Sequence, residues 1–115
     1  MTFSQVEAFR GDTRTIRIVG HRGARGILPE NTIAGFEFTL SIGVTLLEFD
    51  VVLSGDDIPV ITHNHCLHAP TFRSRDGRFL QAEPKVSDYT LQELKQFDIG
   101  RIDGATEYGQ RFPDQ

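Results

Sequence analysis

Apolar residues in the first half of the chain fall in short runs, and the spacing within each run is typical of one kind of element. Residues 13–20, after a polar and aperiodic leader at 1–12, are rich in β-branched side chains and predict a strand. Residues 45–53 have the same character and predict a second strand. Because a helical pattern lies between the two, their order predicts a parallel pair and an α/β fold.

The helix between the strands is marked at both ends as well as along its face. Ile33, Phe36 and Leu40 recur at helical spacing. Asn31 is the predicted N-cap, and Gly43 is placed to end the helix. The sequence therefore predicts a strand, a glycine-rich loop and a helix in succession.

A different connection follows the second strand. Only residues 54–57 separate it from the apolar run 58–62, whereas a parallel return needs about a dozen residues, so that run is predicted to turn back as a hairpin. Residues 64–87 are polar, contain two prolines and predict an irregular excursion. The tail, 101–115, has no strand or helix pattern.

A second helix is predicted by a capping box. Thr90 is followed three residues later by Glu93, a pair that satisfies the first amide groups of a helix. The predicted helix carries Leu91, Leu94 and Phe97 and ends near Gly100.

Composition and charge narrow the class of protein. The 115 residues suit one domain, and a net charge of −4 argues against a surface that binds nucleic acid through its phosphates. A single cysteine, Cys66, gives no sign of an oxidising compartment, and no apolar run is long enough for a transmembrane segment. We therefore expect a cytoplasmic protein in which any phosphate chemistry is local, and an oligomer is compatible with these features.

Two carboxylates interrupt the second strand. Alternation along the strand predicts that Glu48 and Asp50 share one face, where burial without a partner would cost several kcal/mol. Hard divalent cations such as Mg²⁺ or Ca²⁺ take carboxylate oxygens, so the pair is a candidate metal site. The alternative is that both carboxylates pair with arginines or face water on a half-exposed strand.

The register of the hairpin decides whether a histidine joins these carboxylates. If Leu53 lies opposite Ile58, then His63 lies across from Glu48 on the same face. A register slipped by one residue sends His63 to the other face, and a histidine taken alone is more often a surface residue. We predict the first register, which places an imidazole beside two carboxylates.

The loop after the first strand supplies the remaining candidate groups. If the first two strands are parallel, they end at the same edge of the sheet, and this places His21 and Arg22 near the carboxylates. The planar fork of an arginine suits phosphate oxygens, and Gly23 and Gly26 let the backbone approach a bound group closely. The alternative is a tight loop with a solvated arginine.

Four motifs in this order resemble the glycerophosphodiester phosphodiesterases. They are HRGA at 21–24, PENT at 29–32, E-x-D at 48–50 and PVITHN at 59–64. The resemblance extends from about residue 16 to residue 115 and includes TLQELKQFDIGR at 90–101. It implies the N-terminal portion of a (β/α)₈ TIM-type barrel with a hairpin and loop segment inserted after the second strand, at about 54–100.

The resemblance also implies a reaction and its catalytic groups. The reaction is metal-dependent hydrolysis of a small-molecule glycerophosphodiester to sn-glycerol 3-phosphate and an alcohol, a step of lipid and glycerol metabolism. His21 and His63 would form the general acid/base pair, and Arg22 would bind the phosphate.

The supporting groups follow from the same motifs. Glu48 and Asp50 would bind the divalent cation, Mg²⁺ or Ca²⁺, and Glu30 and Asn31 of PENT would support the loop. The chain departs from the family pattern at Asn64, where many relatives carry aspartate.

The length of the chain bears on its activity. A (β/α)₈ barrel usually takes about 250 residues, and in the family a third carboxylate ligand and a phosphate-contacting lysine belong to a later strand. We therefore expect residues 1–115 to be a single incomplete domain with little or no activity in isolation. Two other classes stay open: a non-catalytic module that binds phosphate and metal, and a structural or oligomerising piece. His65 and His68 near Cys66 could form a transition-metal site, but loop polarity explains them more simply.

Overall fold

The computed structural model describes Arg14 and residues 16–111. The leader at 1–12 lies outside these residues. The elements are β1 (Val19–His21), α1 (Ile33–Ser41), β2 (Leu46–Glu48), β3 (Val51–Leu53), β4 (Pro59–Ile61), a 3-10 helix (Val86–Asp88), α2 (Leu91–Leu94) and α3 (Glu107–Arg111). None of the helices in the described part of the chain has the length and apolarity needed to cross a membrane.

The predicted α/β unit is confirmed in its order and in its parallel pairing. β1 and β2 are parallel, and His21 is paired with Glu48. The first strand is shorter than predicted and ends one residue later, because pairing occurs only where β2 lies alongside. Ile16 and Ile18 precede that stretch, and 91% and 67% of their surfaces are exposed.

The start of α1 differs from the prediction by one residue. Thr32 is the N-cap, and its hydroxyl oxygen accepts a hydrogen bond from the Gly35 amide at 3.1 Å. Asn31 instead adopts a left-handed conformation with a φ of 56°, and its amide donates to the Arg22 carbonyl at 2.9 Å. The predicted stop is confirmed, since Gly43 follows the helix with a φ of 87°.

The single strand predicted at 45–53 is wrong, because the chain divides it between two sheets. β2 pairs with β1, whereas β3 pairs antiparallel with β4. Between them the Phe49 ring packs edge-to-face against Phe36, with 5.9 Å between ring centroids. Glu48 and Asp50 therefore do not share one continuous strand, and alternation along a strand does not place them on one face. Both residues lie where the chain passes from the first sheet to the second.

The predicted hairpin is confirmed, but its register is wrong by one residue. Leu53 pairs with Pro59 and not with Ile58. The cause is Ser54, which closes a wider turn: its amide donates to the Ile58 carbonyl and its hydroxyl oxygen accepts from the Ile58 amide, each at 3.0 Å. The pairing therefore does not place His63 across from Glu48.

The irregular excursion carries much of the buried core. Leu67 and Val86 of the excursion are almost fully enclosed, and Ile102, from the tail segment, is 7% exposed. The Leu67 amide donates to the Pro84 carbonyl at 2.8 Å, which folds the start of the excursion back on its end. The segment lacks regular strands, as predicted, yet it forms a packed wall beside the hairpin.

The capping box is confirmed, and the helix that it begins is shorter than predicted. The Thr90 amide donates to Glu93 Oε2 at 2.8 Å, and the Glu93 amide donates to Thr90 Oγ1 at 3.3 Å. The helix ends at Leu94. The Phe97 amide then donates a hydrogen bond to the carbonyl of Leu94, three residues earlier, which is the spacing of a 3-10 turn and not of an α-helix.

The prediction that the tail contains no helix is wrong. α3 forms at Glu107–Arg111, directly after Thr106. The Thr106 hydroxyl oxygen accepts a hydrogen bond from the Gly109 amide at 3.0 Å, which is the contact of an N-cap. The helix has only five residues, so no apolar repeat announces it in the sequence.

The hairpin turn is packed tightly against the 3-10 helix at Gly55. Its amide donates to the Tyr89 carbonyl at 2.7 Å, and an added Cβ would lie 2.7 Å from the Ser87 carbonyl oxygen. We predict that Gly55→Ala lowers the free energy of unfolding by about 1–3 kcal/mol, because a backbone atom cannot move aside as a side chain would. Urea unfolding measures the change. Gly104→Ala, where no atom lies within 4 Å of the new Cβ, is the control and should be near neutral.

Candidate active site

A cavity of about 340 Å³ opens between the loop after β1 and the excursion after β4. The first loop contributes charged groups and the excursion contributes histidines. The lining residues are Arg22, Arg25, Glu30, His63, Asn64, His68, Pro70, Thr71, Ile102 and Thr106. The volume lies in the range of small-molecule sites in proteins.

Arg22 connects the ends of the two parallel strands through its backbone. It adopts a left-handed conformation with a φ of 50°, and its amide donates to Glu48 Oε2 at 3.1 Å. Gly23 follows with a φ of 82°, and a Cβ there would lie 3.1 Å from the Gly35 carbonyl carbon. Glycine is therefore required to bring the loop this close to α1.

The Arg22 guanidinium is largely enclosed by two carboxylates. Its Nη1 donates to Glu30 Oε2 at 3.0 Å, and its Nε lies 3.9 Å from Asp50 Oδ2. The side chain is only 14% exposed. Within the part of the chain that the structure describes, Asp50 Oδ2 and Arg22 Nε are both buried without a hydrogen-bond partner. The predicted alternative, a carboxylate paired with an arginine, therefore applies at least to Asp50.

Glu30 holds two guanidinium groups at the edge of the cavity. Besides the bond from Arg22, its Oε2 accepts from Arg25 Nε at 2.6 Å. Burial acts to raise the pKa of Glu30, but the hydrogen bond from Arg25 and the charge and hydrogen bonds of Arg22 outweigh it and hold the pKa below its ordinary value of 4.5. Glu30 is ionised in the folded protein near neutral pH, as the predicted supporting role requires.

This lowered pKa makes Glu30 a source of acid-sensitive stability. Its contribution is fully present above 4.5, its ordinary pKa, and fades as the pH falls through the lower value of the folded state. We predict that Glu30→Gln costs about 1–2 kcal/mol near neutral pH and that the difference vanishes well below 4.5. Urea unfolding across this pH range measures it. The exposed Glu37→Gln serves as the control, and an equal pH-dependent difference there would contradict the assignment.

The two candidate histidines occupy different surroundings. His21 Nε2 lies 3.9 Å from Glu48 Oε2, so the predicted proximity of these two residues is met, and the side chain is 61% exposed. His63 lines the cavity with Arg22, and its Nδ1 lies 2.9 Å from Asn64 Oδ1. His21 borders a second cavity, of about 400 Å³, on the side of α1. Among the described residues, no ion pair joins His63 to either candidate metal ligand.

The donor chemistry of Glu48 and Asp50 fits a hard divalent cation in part. Both provide carboxylate oxygens, and the buried Asp50 Oδ2 has no hydrogen-bond partner among the residues described. Two carboxylates are few for an ion that takes about six to eight oxygen ligands. Within residues 14 and 16–111, no group of three or more His, Cys, Asp and Glu side chains is arranged to hold a metal ion.

Sequence reasoning missed two charged groups beside the cavity. Arg25 binds Glu30 from within the loop, and Glu83 binds His68 across the excursion, with 2.7 Å between Oε1 and Nδ1. No spacing rule for strands or helices links these pairs. For the pair of Arg25 and Glu30, the available signal was the PENT motif close to HRGA. For the pair of Glu83 and His68, the sequence contained no signal.

Fold and site together define an α/β protein with an arginine, two carboxylates and one histidine at the ends of its parallel strands, and a second histidine, His63, on the wall of the cavity that Arg22 also lines. Residues 21–114 match the glycerophosphoryl diester phosphodiesterase family. A crystal structure from Silicibacter pomeroyi, named for the same family, is 51% identical, with a TM-score of 0.88, and covers 99% of this chain and 39% of its own. The chain belongs to the glycerophosphoryl diester phosphodiesterase family.

Two other relatives extend the comparison. A phosphodiesterase from Oleispira antarctica, solved in complex with the product sn-glycerol-3-phosphate, is 35% identical with a TM-score of 0.62 and covers 76% of this chain and 32% of its own. A glycerophosphodiester phosphodiesterase from Caldanaerobacter subterraneus is 33% identical over 96 residues, which are 84% of this chain and 36% of the relative. The chain thus spans between 32% and 39% of the length of these three relatives.

Proposed function

We propose that a protein containing this chain hydrolyses a glycerophosphodiester to sn-glycerol 3-phosphate and an alcohol. Family membership gives the reaction class, and one observation carries the assignment to this site: Arg22 connects the strand ends. Its amide binds Glu48, and its guanidinium lies beside Glu30 and Asp50 on the wall of the cavity that contains His63. The relative solved with sn-glycerol-3-phosphate supports the proposed product.

Arg22 would bind the phosphate. A phosphodiester is anionic, and further charge gathers on the phosphoryl oxygens in the transition state, so a fixed guanidinium lowers the barrier. The side-chain hydrogen bonds from Arg22 to Glu30 use Nη1 alone, which leaves the Nη2 donors for a phosphate oxygen. Glu30 would orient the Arg22 guanidinium, in keeping with the supporting role that the PENT motif implies for it.

His63 and His21 would transfer the protons. An amide oxygen only accepts hydrogen bonds, so the contact with Asn64 Oδ1 favours a proton on His63 Nδ1 and leaves Nε2 as the basic atom. One imidazole would take a proton from the attacking water as its oxygen bonds to phosphorus, and the other would give a proton to the alcohol oxygen as its bond to phosphorus breaks. Since the two histidines border different cavities, a substrate at Arg22 would have to reach both.

Glu48 and Asp50 would hold a divalent cation, Mg²⁺ or Ca²⁺. When bound, it would stabilise charge on the phosphoryl oxygens as a Lewis acid. His21 lies beside Glu48, and the Arg22 amide binds the same carboxylate, so both groups would adjoin the cation site.

We further infer that residues 1–115 are a single incomplete domain, the N-terminal portion of a (β/α)₈ barrel with its insertion at about 54–100, and that they have little or no activity alone. Support comes from the two parallel strands, from the two available carboxylates and from the longer relatives. Further oxygen ligands would come from a longer chain.

Release of sn-glycerol 3-phosphate from glycerophosphocholine tests the function. The longest natural protein that carries this sequence is assayed with Mg²⁺ or Ca²⁺ and again after chelation, beside the 115-residue chain. We expect cation-dependent release by the longer protein and far less by the shorter chain. Tight phosphate binding without turnover in the longer protein would favour a binding module, and it would overturn the hydrolase proposal.

A further inference from the structure

We propose that His68, held by Glu83, contacts an alcohol group of the substrate and helps to determine which diesters bind. The inference rests on the proposed function, and it assigns a polar contact outside the phosphate. His68 belongs to the excursion, and it lines the same cavity as Arg22 and His63.

The His68 ring is positioned by a carboxylate, that of Glu83. Its Nδ1 lies 2.7 Å from Glu83 Oε1, and the same oxygen accepts the Ala69 amide at 3.0 Å. These two contacts, led by the Ala69 hydrogen bond and followed by that of His68, hold the pKa of Glu83 below its ordinary value. Glu83 therefore keeps its charge and its hold on the ring.

The backbone fixes the same residue independently. The His68 carbonyl accepts hydrogen bonds from the Thr71 amide at 2.9 Å and from the Phe72 amide at 3.1 Å. Two residues before His68, the backbone of Cys66 forms an isolated antiparallel β-bridge with Lys85. This pairing runs beside the contact of Glu83 with the Ala69 amide. The turn and the Glu83 contact together limit the positions that His68 can adopt, and a ligand contact made by a preorganised side chain gains affinity.

The remaining ring atom of His68 suits a hydroxyl group. With Nδ1 engaged by a carboxylate, Nε2 accepts a hydrogen bond when the ring is neutral and donates one when it is protonated, and a hydroxyl can satisfy either state. Arg22 is the better partner for the phosphate because its fork matches phosphate oxygens. The glycerol side of a glycerophosphodiester carries two free hydroxyl groups, so it would supply the contact.

Titration of histidine side-chain NMR signals tests this contact in the longest natural protein that carries the sequence. Three probes are added in turn: glycerophosphocholine, glycerol 3-phosphate and phosphocholine. We expect the His63 and His68 signals to move with glycerophosphocholine. Movement of His68 with glycerol 3-phosphate supports a contact to a glycerol hydroxyl, and movement with phosphocholine alone, which has no hydroxyl group, overturns it. Movement of His63 without His68 overturns the inference, and no movement with any probe overturns the proposed function as well.

Variants separate a substrate contact from a structural role. His68→Ala is expected to raise the KM for glycerophosphocholine about tenfold, the effect of one lost hydrogen bond, with a smaller effect on kcat. Glu83→Gln keeps an acceptor for the Ala69 amide and should lie between the wild type and Glu83→Ala. His65→Ala is the matched control, since His65 is exposed and does not line the cavity. Equal effects of His68→Ala and His65→Ala on KM would contradict the inference.

Discussion

Replacing His63 by alanine is expected to lower kcat by about 10²–10⁴-fold, the usual contribution of a positioned acid or base. The ring lies on the wall of the cavity with Arg22, and its Nδ1 is engaged by Asn64, so Nε2 is the atom available to move a proton. Release of sn-glycerol 3-phosphate by the longest natural protein measures the change.

His65, two residues after His63, provides the control for this prediction. His65→Ala removes an imidazole two residues away that lies outside the cavity lining, so it should leave kcat within about threefold, the scatter expected of a surface change. Thermal unfolding of both variants should be similar to that of the wild type. If His63→Ala keeps nearly full kcat, His63 is not the proton-transfer group.

Replacing Asp50 by asparagine is expected to weaken the apparent affinity for Mg²⁺ or Ca²⁺ by at least about 10–100-fold, since even residues that only support metal ligands have effects of this size. Among the described residues, the buried Oδ2 atom of Asp50 has no hydrogen-bond partner, and the cation nearest to it in an ion pair is Arg22, whose Nε lies 3.9 Å away. Asparagine keeps the shape and removes the charge. The cation concentration that gives half-maximal activity is the measured quantity.

A matched aspartate controls for the change of charge. Asp57 lies in the exposed hairpin turn with a φ of 59°, a conformation that asparagine also tolerates. Asp57→Asn should leave the cation dependence unchanged. An unchanged half-maximal concentration in Asp50→Asn would instead show that Asp50 serves as the partner of Arg22 and does not bind the cation.

Local patterns in the sequence predicted the parts of the fold that local physics determines. The hairpin, the end of α1 at Gly43 and the capping box of Thr90 and Glu93 are set by neighbouring residues, and the parallel pair follows from the order strand, helix, strand; the structure contains each of them. The same holds for His21 beside Glu48, because parallel strands end at one edge.

Local sequence patterns did not predict the contacts between distant segments of the chain. The Ser54 hydroxyl widens the turn by one residue and thereby shifts the register, and no apolar periodicity records that hydrogen bond. The change of sheet after Glu48 depends on which strand lies alongside, not on the side chains of the strand itself. The Glu83 contact to His68 spans 15 positions of an irregular segment, where no period applies.

The most direct test is a crystal structure of the longest natural protein that carries this sequence, grown with Ca²⁺ and sn-glycerol 3-phosphate. We expect one cation bound by oxygens of both Glu48 and Asp50, a phosphate oxygen on the Arg22 guanidinium, and imidazoles of both His21 and His63 within hydrogen-bond reach of the ligand. A phosphate bound elsewhere, or an imidazole of either histidine turned away from it, would rule out this active site.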